Sequence, residues 1–264
     1  MTVDSWSPLA RLLWRTRESA FPAGEFVGQE SFVSASEVRW LAGRAGVGTG
    51  VSVLDLCCGE AGPGIFVART FGCRYLGVDA DAGSIARARA RAVDEGVDAA
   101  FEVRTVPPVP RGAFDVVFLL ETLLAFADKP ALVHEVASAL PVGGRFAFTL
   151  EAGRPLSAAE RAAMPGADTV WLTTLTDLRR ALRGAGFRVR SLRDTSHAHR
   201  RVVDGLVAAY AGAAPDIRAA ASGSALVVDD LLTAHRLWSE WLRTGRVRKF
   251  AVVTEKVVQG APLM

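Results

Sequence analysis

A strand-like run that breaks into a small-residue turn and at once begins a helix constrains this chain more than any other feature. Residues 51–56 are apolar except for Ser52 and Asp55, residues 57–62 form the turn, and Pro63 or Gly64 opens the helix. Gly59, Gly62 and Gly64 let a backbone come close to a ligand at a helix N-terminus, where amide donors are unpaired. Pro63 suits a first helical turn. Twenty residues after Gly59, Asp79 ends the next strand-like run in YLGVDAD, where its carboxylate can accept hydrogen bonds from a ribose diol. The glycines fall as GxxGxG instead of the dinucleotide pattern GxGxxG, with Asp55 just before them. An acidic residue there repels a pyrophosphate and suits the cationic amino-acid end of a sulfonium cofactor.

The rest of the chain alternates strand and helix patterns. Strand-like runs fall at 51–56, 74–78, 100–103, 114–120, 145–150, 187–192 and 250–256, with helical patterns at 64–70, 84–95, 130–140 and 174–183. Thr174 is the expected cap of the last of these helices, with Asp177 three residues on. Such repetition predicts an α/β fold around a mostly parallel sheet. Two segments break the rhythm. Residues 1–45 carry Trp6, Trp14, Phe21, Phe26, Phe32 and Trp40 and are expected to form an N-terminal helical lid. Residues 197–249, with Leu206, Tyr210, Leu226, Leu231, Leu232, Leu237, Trp238, Trp241 and Leu242, are expected to form a helical cap inserted between strands six and seven. The expected division is therefore a lid over 1–45 and a cofactor-binding domain over 46–264 that contains the cap.

Four ordered motifs carry a resemblance. VLDLCCGEAGPG is similar to the glycine-rich first motif of class I S-adenosylmethionine-dependent methyltransferases, and GVDAD to their acidic second motif. FDVVFLLETLLAFADK resembles the fourth-strand motif of the small-molecule branch, which includes sugar, sterol and tocopherol methyltransferases, and LPVGGRFAF the loop and strand that follow. The similarity spans about residues 45–196. It implies a Rossmann-like seven-stranded sheet of order 3-2-1-4-5-7-6, the last strand antiparallel, with S-adenosylmethionine across the carboxyl ends of strands one to four. Carried over by residue, Asp55, Cys57 and Gly59 line the methionine end, Asp79 holds the ribose, and Ala80 lies beside the adenine. Leu120 and Glu121 lie under the sulfonium, and Thr105 stands where relatives carry an Asp that caps the adenine amino group. Gln29, in FVGQESF, is placed to reach the cofactor carboxylate while Phe26 and Phe32 exclude water. Three departures stand out: Cys57 and Ala61 replace glycines, and Ala125 occupies a position where many relatives carry His.

The implied reaction is in-line methyl transfer to carbon, nitrogen or oxygen of a small-molecule acceptor, in which the protein aligns, desolvates and, where needed, removes a proton. Strand carboxyl ends supply the candidate groups Glu121, Glu151, Asp194, His197 and His199, of which Glu121, His197 and Asp194 are the expected catalytic set. Tyr210 and His235 are expected to pack inside the cap. A cyclase or isomerase that binds the cofactor without methyl transfer is the alternative, with an RNA methyltransferase or nicotinamide oxidoreductase less favoured. The fourth strand ends in LLETLL, without the Asn/Asp-Pro-Pro-aromatic run of base-nitrogen methyltransferases, and the cysteines sit near the first two strands; no nucleic-acid partner is expected.

Composition bounds the remainder. No run of about 20 apolar residues and no leader pattern occurs, so neither a membrane partner nor export is expected, and the chain reads as a cytoplasmic monomer or homodimer. Cys57, Cys58 and Cys73 fit neither a disulfide framework nor a zinc spacing, and no HxxxH or facial carboxylate pattern occurs, so no metal is expected. The net charge of +3 comes from scattered arginines; the densest basic group, Arg243, Arg246, Arg248 and Lys249, reads as a solvated loop.

Overall fold

The computed structural model describes residues 7–221 and 226–258, and of residues 226 and 227 only the backbone. Trp6 and the side chain of Leu226 thus lie outside the described residues. One sheet holds β1 (Ser52–Leu56), β2 (Arg74–Asp79), β3 (Ala100–Val103), β4 (Val116–Leu119), β5 (Arg145–Ala152), β6 (Phe187–Asp194) and β7 (Arg248–Lys256). The order is β3-β2-β1-β4-β5-β7-β6; β1 to β5 pair in parallel, and β7 runs antiparallel to both neighbours. This is the order and the antiparallel final strand expected from the sequence.

The helices are α1 (Pro8–Ser19), α2 (Ala35–Ala45), α3 (Gly62–Phe71), α4 (Ala82–Asp94), α5 (Lys129–Ala139), α6 (Ala158–Ala163), α7 (Leu175–Gly184), α8 (Ser196–Ala220) and α9 (Leu226–Thr244). Strand residues alternate between two buried layers. Val53, Val116 and Phe118 face one core with α2, α3 and α4 residues such as Leu41, Ile65 and Ile85. Leu54, Val117, Leu119 and Phe148 face the other with Leu132, Val136 and Leu178 of α5 and α7. Burial on both faces explains why these strands read as near-continuous apolar runs. Thr174 caps α7 as expected, accepting from the Asp177 amide.

The two segments outside the rhythm take different places. α1 packs on α8, while α2 packs against β5, β7 and α3 within the helical layer of the sheet. α8 and α9 pack on each other between β6 and β7. Their apolar faces form two small cores, one around Leu206, Tyr210, Ile217 and Leu232 with Phe21, the other around Trp238, Trp241 and Leu242 with Leu156, Met164 and Val170.

The basic group 243–249 is not the solvated loop expected. β7 begins at Arg248, and strand alternation turns Lys249 inward to complete burial. Arg246 bonds Glu160, which, as the closing member of the Ser157 capping box at the start of α6, lies in reach. Arg248 pairs with Asp194 across the β6–β7 ladder. Among the described residues no helix is long and apolar enough to cross a membrane.

Candidate active site

Where the motif replaces glycine, the backbone still takes the conformation that glycine favours. Cys57 and Ala61 have φ of 56° and 55°, in the left-handed region that costs an L-residue about 1–2 kcal/mol. The expected role of the glycines changes. A Cβ on Gly62 would sit 2.2 Å from the Gly28 carbonyl oxygen, and one on Gly64 would sit 1.8 Å from the Tyr75 hydroxyl. Gly64 admits protein instead of ligand, and Gly62, which still lines the cavity, also packs against protein: the loop around Gly28 closes over the turn, and Tyr75 reaches Asp55, donating to Oδ2 at 2.6 Å.

The turn floors a cavity of about 340 Å³ whose lining includes Glu30, Asp55, Glu60, Asp79 and Glu121 and, among the described residues, no Lys, Arg or His. Such a wall opposes a pyrophosphate and favours a cation. Asp55 is 3% exposed; burial pushes its carboxyl up to about 7, the Tyr75 hydrogen bond partly offsets this, and Asp79 adds to it. A ligand ammonium beside it would restore the ionised form. Asp79 accepts from the amides of Gly59 and Asp81, each at 2.9 Å, which fixes the carboxylate and leaves lone pairs for a diol. Burial, then Asp79 and Asp55, push the Cys57 thiol up to about 12, and burial and the same carboxylates raise Cys58 as well, so neither thiol is a nucleophile at neutral pH.

A second cavity of about 240 Å³ meets the first at Ser31 and Glu121. Phe32, Leu124, Met164, Val170 and Trp238 give it an apolar wall; Glu151 and His235 are among its polar groups. The Nδ1 of His235 bonds the Leu231 carbonyl. Beneath the junction lies a buried ionic cluster. Lys249 pairs with Glu121 and with Glu37, the latter at 3.1 Å, and Thr195 donates to Glu37 at 3.0 Å. Glu121, at φ 61°, is held at the turn after β4 by its amide, which donates to the Thr149 hydroxyl at 2.6 Å. Neither carboxylate oxygen of Glu151 has a hydrogen-bond partner among the described residues, nor has Nδ1 of His199. Burial raises Glu151 to about 7 and lowers His199 to about 4. Ligand atoms of Glu121, Glu151 and His199 lie within 4.8 Å of one another, a set able to hold a metal, although the cation in contact with Glu121 is the ammonium of Lys249.

The expected site residues divide accordingly. Asp55, Cys57, Gly59, Asp79, Leu120 and Glu121 line the first cavity. Gln29 lines it too, but its side-chain amide is committed to its own loop: Oε1 accepts from Val27 N, and Nε2 donates to the carbonyls of Glu25 and Val33. It shapes the loop and has no donor left for a cofactor carboxylate. Ala80 and Thr105 are exposed and line neither cavity. Asp194 and His197 are also exposed and outside both linings; Asp194 caps the start of α8 through Ser196 and pairs with Arg248. Their positions at a strand end pointed to the right edge of the sheet, but β6 is the outermost strand there. Ser31, Lys249 and the pairing of Trp238 with His199 escaped the sequence reading. The one usable signal was a charged residue closing the apolar run FAFTLE at Glu151.

Residues 53–144 match a family model described as a methyltransferase domain. The chain is 31% identical over 165 residues to 27-O-demethylrifamycin SV methyltransferase of Amycolatopsis mediterranei, covering 59% of this chain and 61% of that protein. It is 33% identical over 98 residues to phosphoethanolamine N-methyltransferase 1 of Triticum aestivum, covering 36% of this chain and 20% of that one. The chain thus spans between a fifth and about three-fifths of the length of these relatives. Its fold superposes on the crystal structure of the [4+2]-cyclase SpnF with a TM-score of 0.74 at 20% identity, covering 95% and 93% of the two chains. Over residues 53–144 the chain is thus similar to methyltransferase domains, and the turn, Asp55, Asp79, Leu120 and Glu121 that line the first cavity fall within that stretch.

Proposed function

We propose that this protein transfers a methyl group from S-adenosylmethionine to an oxygen of an apolar small-molecule acceptor. One observation carries the reading: a carboxylate-walled cavity at the glycine-rich turn opens, at Ser31 and Glu121, into an apolar chamber. The cofactor, when bound, supplies an electrophilic methyl group on sulfur, which keeps the bonding electron pair as the acceptor's lone pair forms the new bond. Asp55 would hold the cofactor's ammonium, Gly59 and Cys57 would line the methionine end, Asp79 would bind the ribose, and Leu120 would lie under the sulfonium. Ala80 and Thr105 follow the carboxyl ends of the neighbouring strands β2 and β3 and are assigned to the adenine side. Glu121, neutralised by Lys249, is a fixed charge between the two chambers and not a base.

The acceptor chamber itself narrows the substrate class. Phosphoethanolamine, the acceptor named for one relative, carries a phosphate that calls for cations, and the chamber lining holds Glu121 and Glu151 but, among the described residues, no Lys or Arg. The relative named for 27-O-demethylrifamycin SV supports an oxygen acceptor. Likeness to a cyclase at 20% identity concerns the fold alone and adds nothing to the reading without methyl transfer. The protein is read as working in the cytoplasm without a metal.

Two measurements test this. S-adenosylhomocysteine should stabilise the fold in a thermal scan where NADH does not. Incubation with S-adenosylmethionine and apolar hydroxylated metabolites should release S-adenosylhomocysteine in step with methylated product, whereas phosphoethanolamine should give none. Stabilisation by NADH alone, or a converted acceptor with no S-adenosylhomocysteine formed, would refute the proposal.

A further inference from the structure

We infer that Glu151 is the proton acceptor of the acceptor chamber and that Trp238 and His199 position it, Trp238 by fixing the His199 tautomer and His199 by donating to the Glu151 carboxylate. The inference rests on the oxygen-methylation reading, and its first test is independent of it. Indole nitrogen carries a proton and no lone pair for hydrogen bonding, so Trp238 Nε1 donates and His199 Nε2, 3.2 Å away, must accept. A neutral imidazole that accepts at Nε2 carries its proton on Nδ1. That Nδ1 has no partner among the described residues, nor has either oxygen of Glu151, and a ring nitrogen of His199 lies within 4.8 Å of both the Glu151 and Glu121 carboxylates. Three unsatisfied buried polar atoms at one place each carry a desolvation cost unless they meet one another or a ligand. Glu121 Oε1 likewise has no hydrogen-bond partner among the described residues but lies against the Lys249 ammonium, which leaves Glu151 as the carboxylate open to the Nδ1 proton.

The charges around Glu151 favour this role. Lys249 is its cross-strand partner in β7 but is turned to Glu37 and Glu121. Lys129, in α5, spends two donors on the carbonyls of Phe126 and Trp171 and lowers Glu151 by less than burial raises it, with Glu37 of α2 pushing the same way as burial. His235, in α9, faces the same chamber with its Nδ1 bonded to Leu231. The outcome is a carboxyl near neutrality that lines the acceptor chamber, with one oxygen for the His199 donor and the other open to a substrate hydroxyl. A bound hydroxyl can pass its proton to a Glu151 oxygen while its electron pair forms the new bond to carbon. His199, lowered to about 4 by burial, does not compete for that proton.

Nitrogen-15 imidazole spectra of the ligand-free protein test the tautomer directly. His199 should be neutral with its proton on Nδ1 from pH 8 to pH 5, and Trp238→Phe should mix the tautomers. Carbon-13 carboxyl spectra should show one glutamate titrating near pH 7, absent in Glu151→Gln and moved up by about one pH unit in His199→Phe or His199→Leu, two variants offered in case either fails to fold. A proton on Nε2, or a glutamate titration that His199 variants leave in place, overturns the inference. With an accepted hydroxyl substrate, Glu151→Gln should lower kcat by about 10² to 10⁴-fold with cofactor Kd unchanged. An ascending pH limb that vanishes in His235→Phe and persists in Glu151→Gln, or activity lost to a chelator and restored by a divalent metal, also overturns it. If no acceptor is turned over, the spectra still decide the tautomer and the carboxyl, and only the methylation reading falls.

Discussion

The Nζ of Lys249, in the last strand, lies 3.1 Å from Oε2 of Glu37, in the second helix, 212 residues away, and the lysine is wholly buried. Together with Glu121 the pair ties α2 to the junction of the two cavities. Removing the ammonium leaves two buried carboxylates facing each other. Lys249→Met should therefore cost about 3–5 kcal/mol in urea unfolding. The double change with Glu37→Gln should recover part of that loss. A Lys249→Met protein of native stability would show that the cluster is not ionised.

Cofactor affinity should depend on pH through Asp55. Its carboxyl is raised to about 7, so it is largely protonated at pH 6, and a ligand ammonium binds the ionised form. Affinity for S-adenosylhomocysteine should consequently be roughly tenfold weaker at pH 6 than at pH 7.5 by calorimetry. Asp55→Asn should bind weakly at both and lose the dependence. A pH-independent Kd in the unaltered protein would remove Asp55 from the ammonium site.

The turn positions offer opposite expectations. Gly64→Ala places a methyl group 1.8 Å from the Tyr75 hydroxyl, so Tyr75 must leave Asp55 or the turn must shift, at a cost of about 1–3 kcal/mol. Cys57→Gly relieves a left-handed cysteine at φ 56° and should leave thermal stability unchanged or raised, since the greater freedom of glycine in the unfolded chain offsets part of the gain. Equal destabilisation by both changes would contradict the geometry.

The parallel sheet and its order were legible because the central strands are buried on both faces and announce themselves as apolar runs, as at Val53 and Val117. The cofactor cavity was legible because Asp55, Gly59 and Asp79 lie within one strand-turn-helix-strand unit, where sequence spacing fixes spatial spacing. The acceptor chamber was not, since it is assembled from Ser31, Glu151, Val170 and Trp238, which only tertiary packing brings together. A lysine beside three arginines looks solvated until strand register turns it inward, and a histidine two residues from another gives no sign of which faces the core. Lys249 and His199 were hidden for these reasons.

Glu151 should leave a mark on folding stability separate from any catalysis. Burial raises its carboxyl from 4.5 to about 7, so between those pH values the native state holds a proton that the unfolded chain has released. The unfolded state then binds fewer protons, and stability falls as pH rises through this window. Glutamine has no charge to bury, so Glu151→Gln should be close to neutral at pH 4 and stabilising at pH 8, by up to about 3 kcal/mol. Urea unfolding of both proteins at the two pH values measures the difference. Loss of stability in the variant at pH 8 would mean that the carboxylate is ionised and held by more than the single His199 donor, which would deny it the open oxygen that proton removal requires.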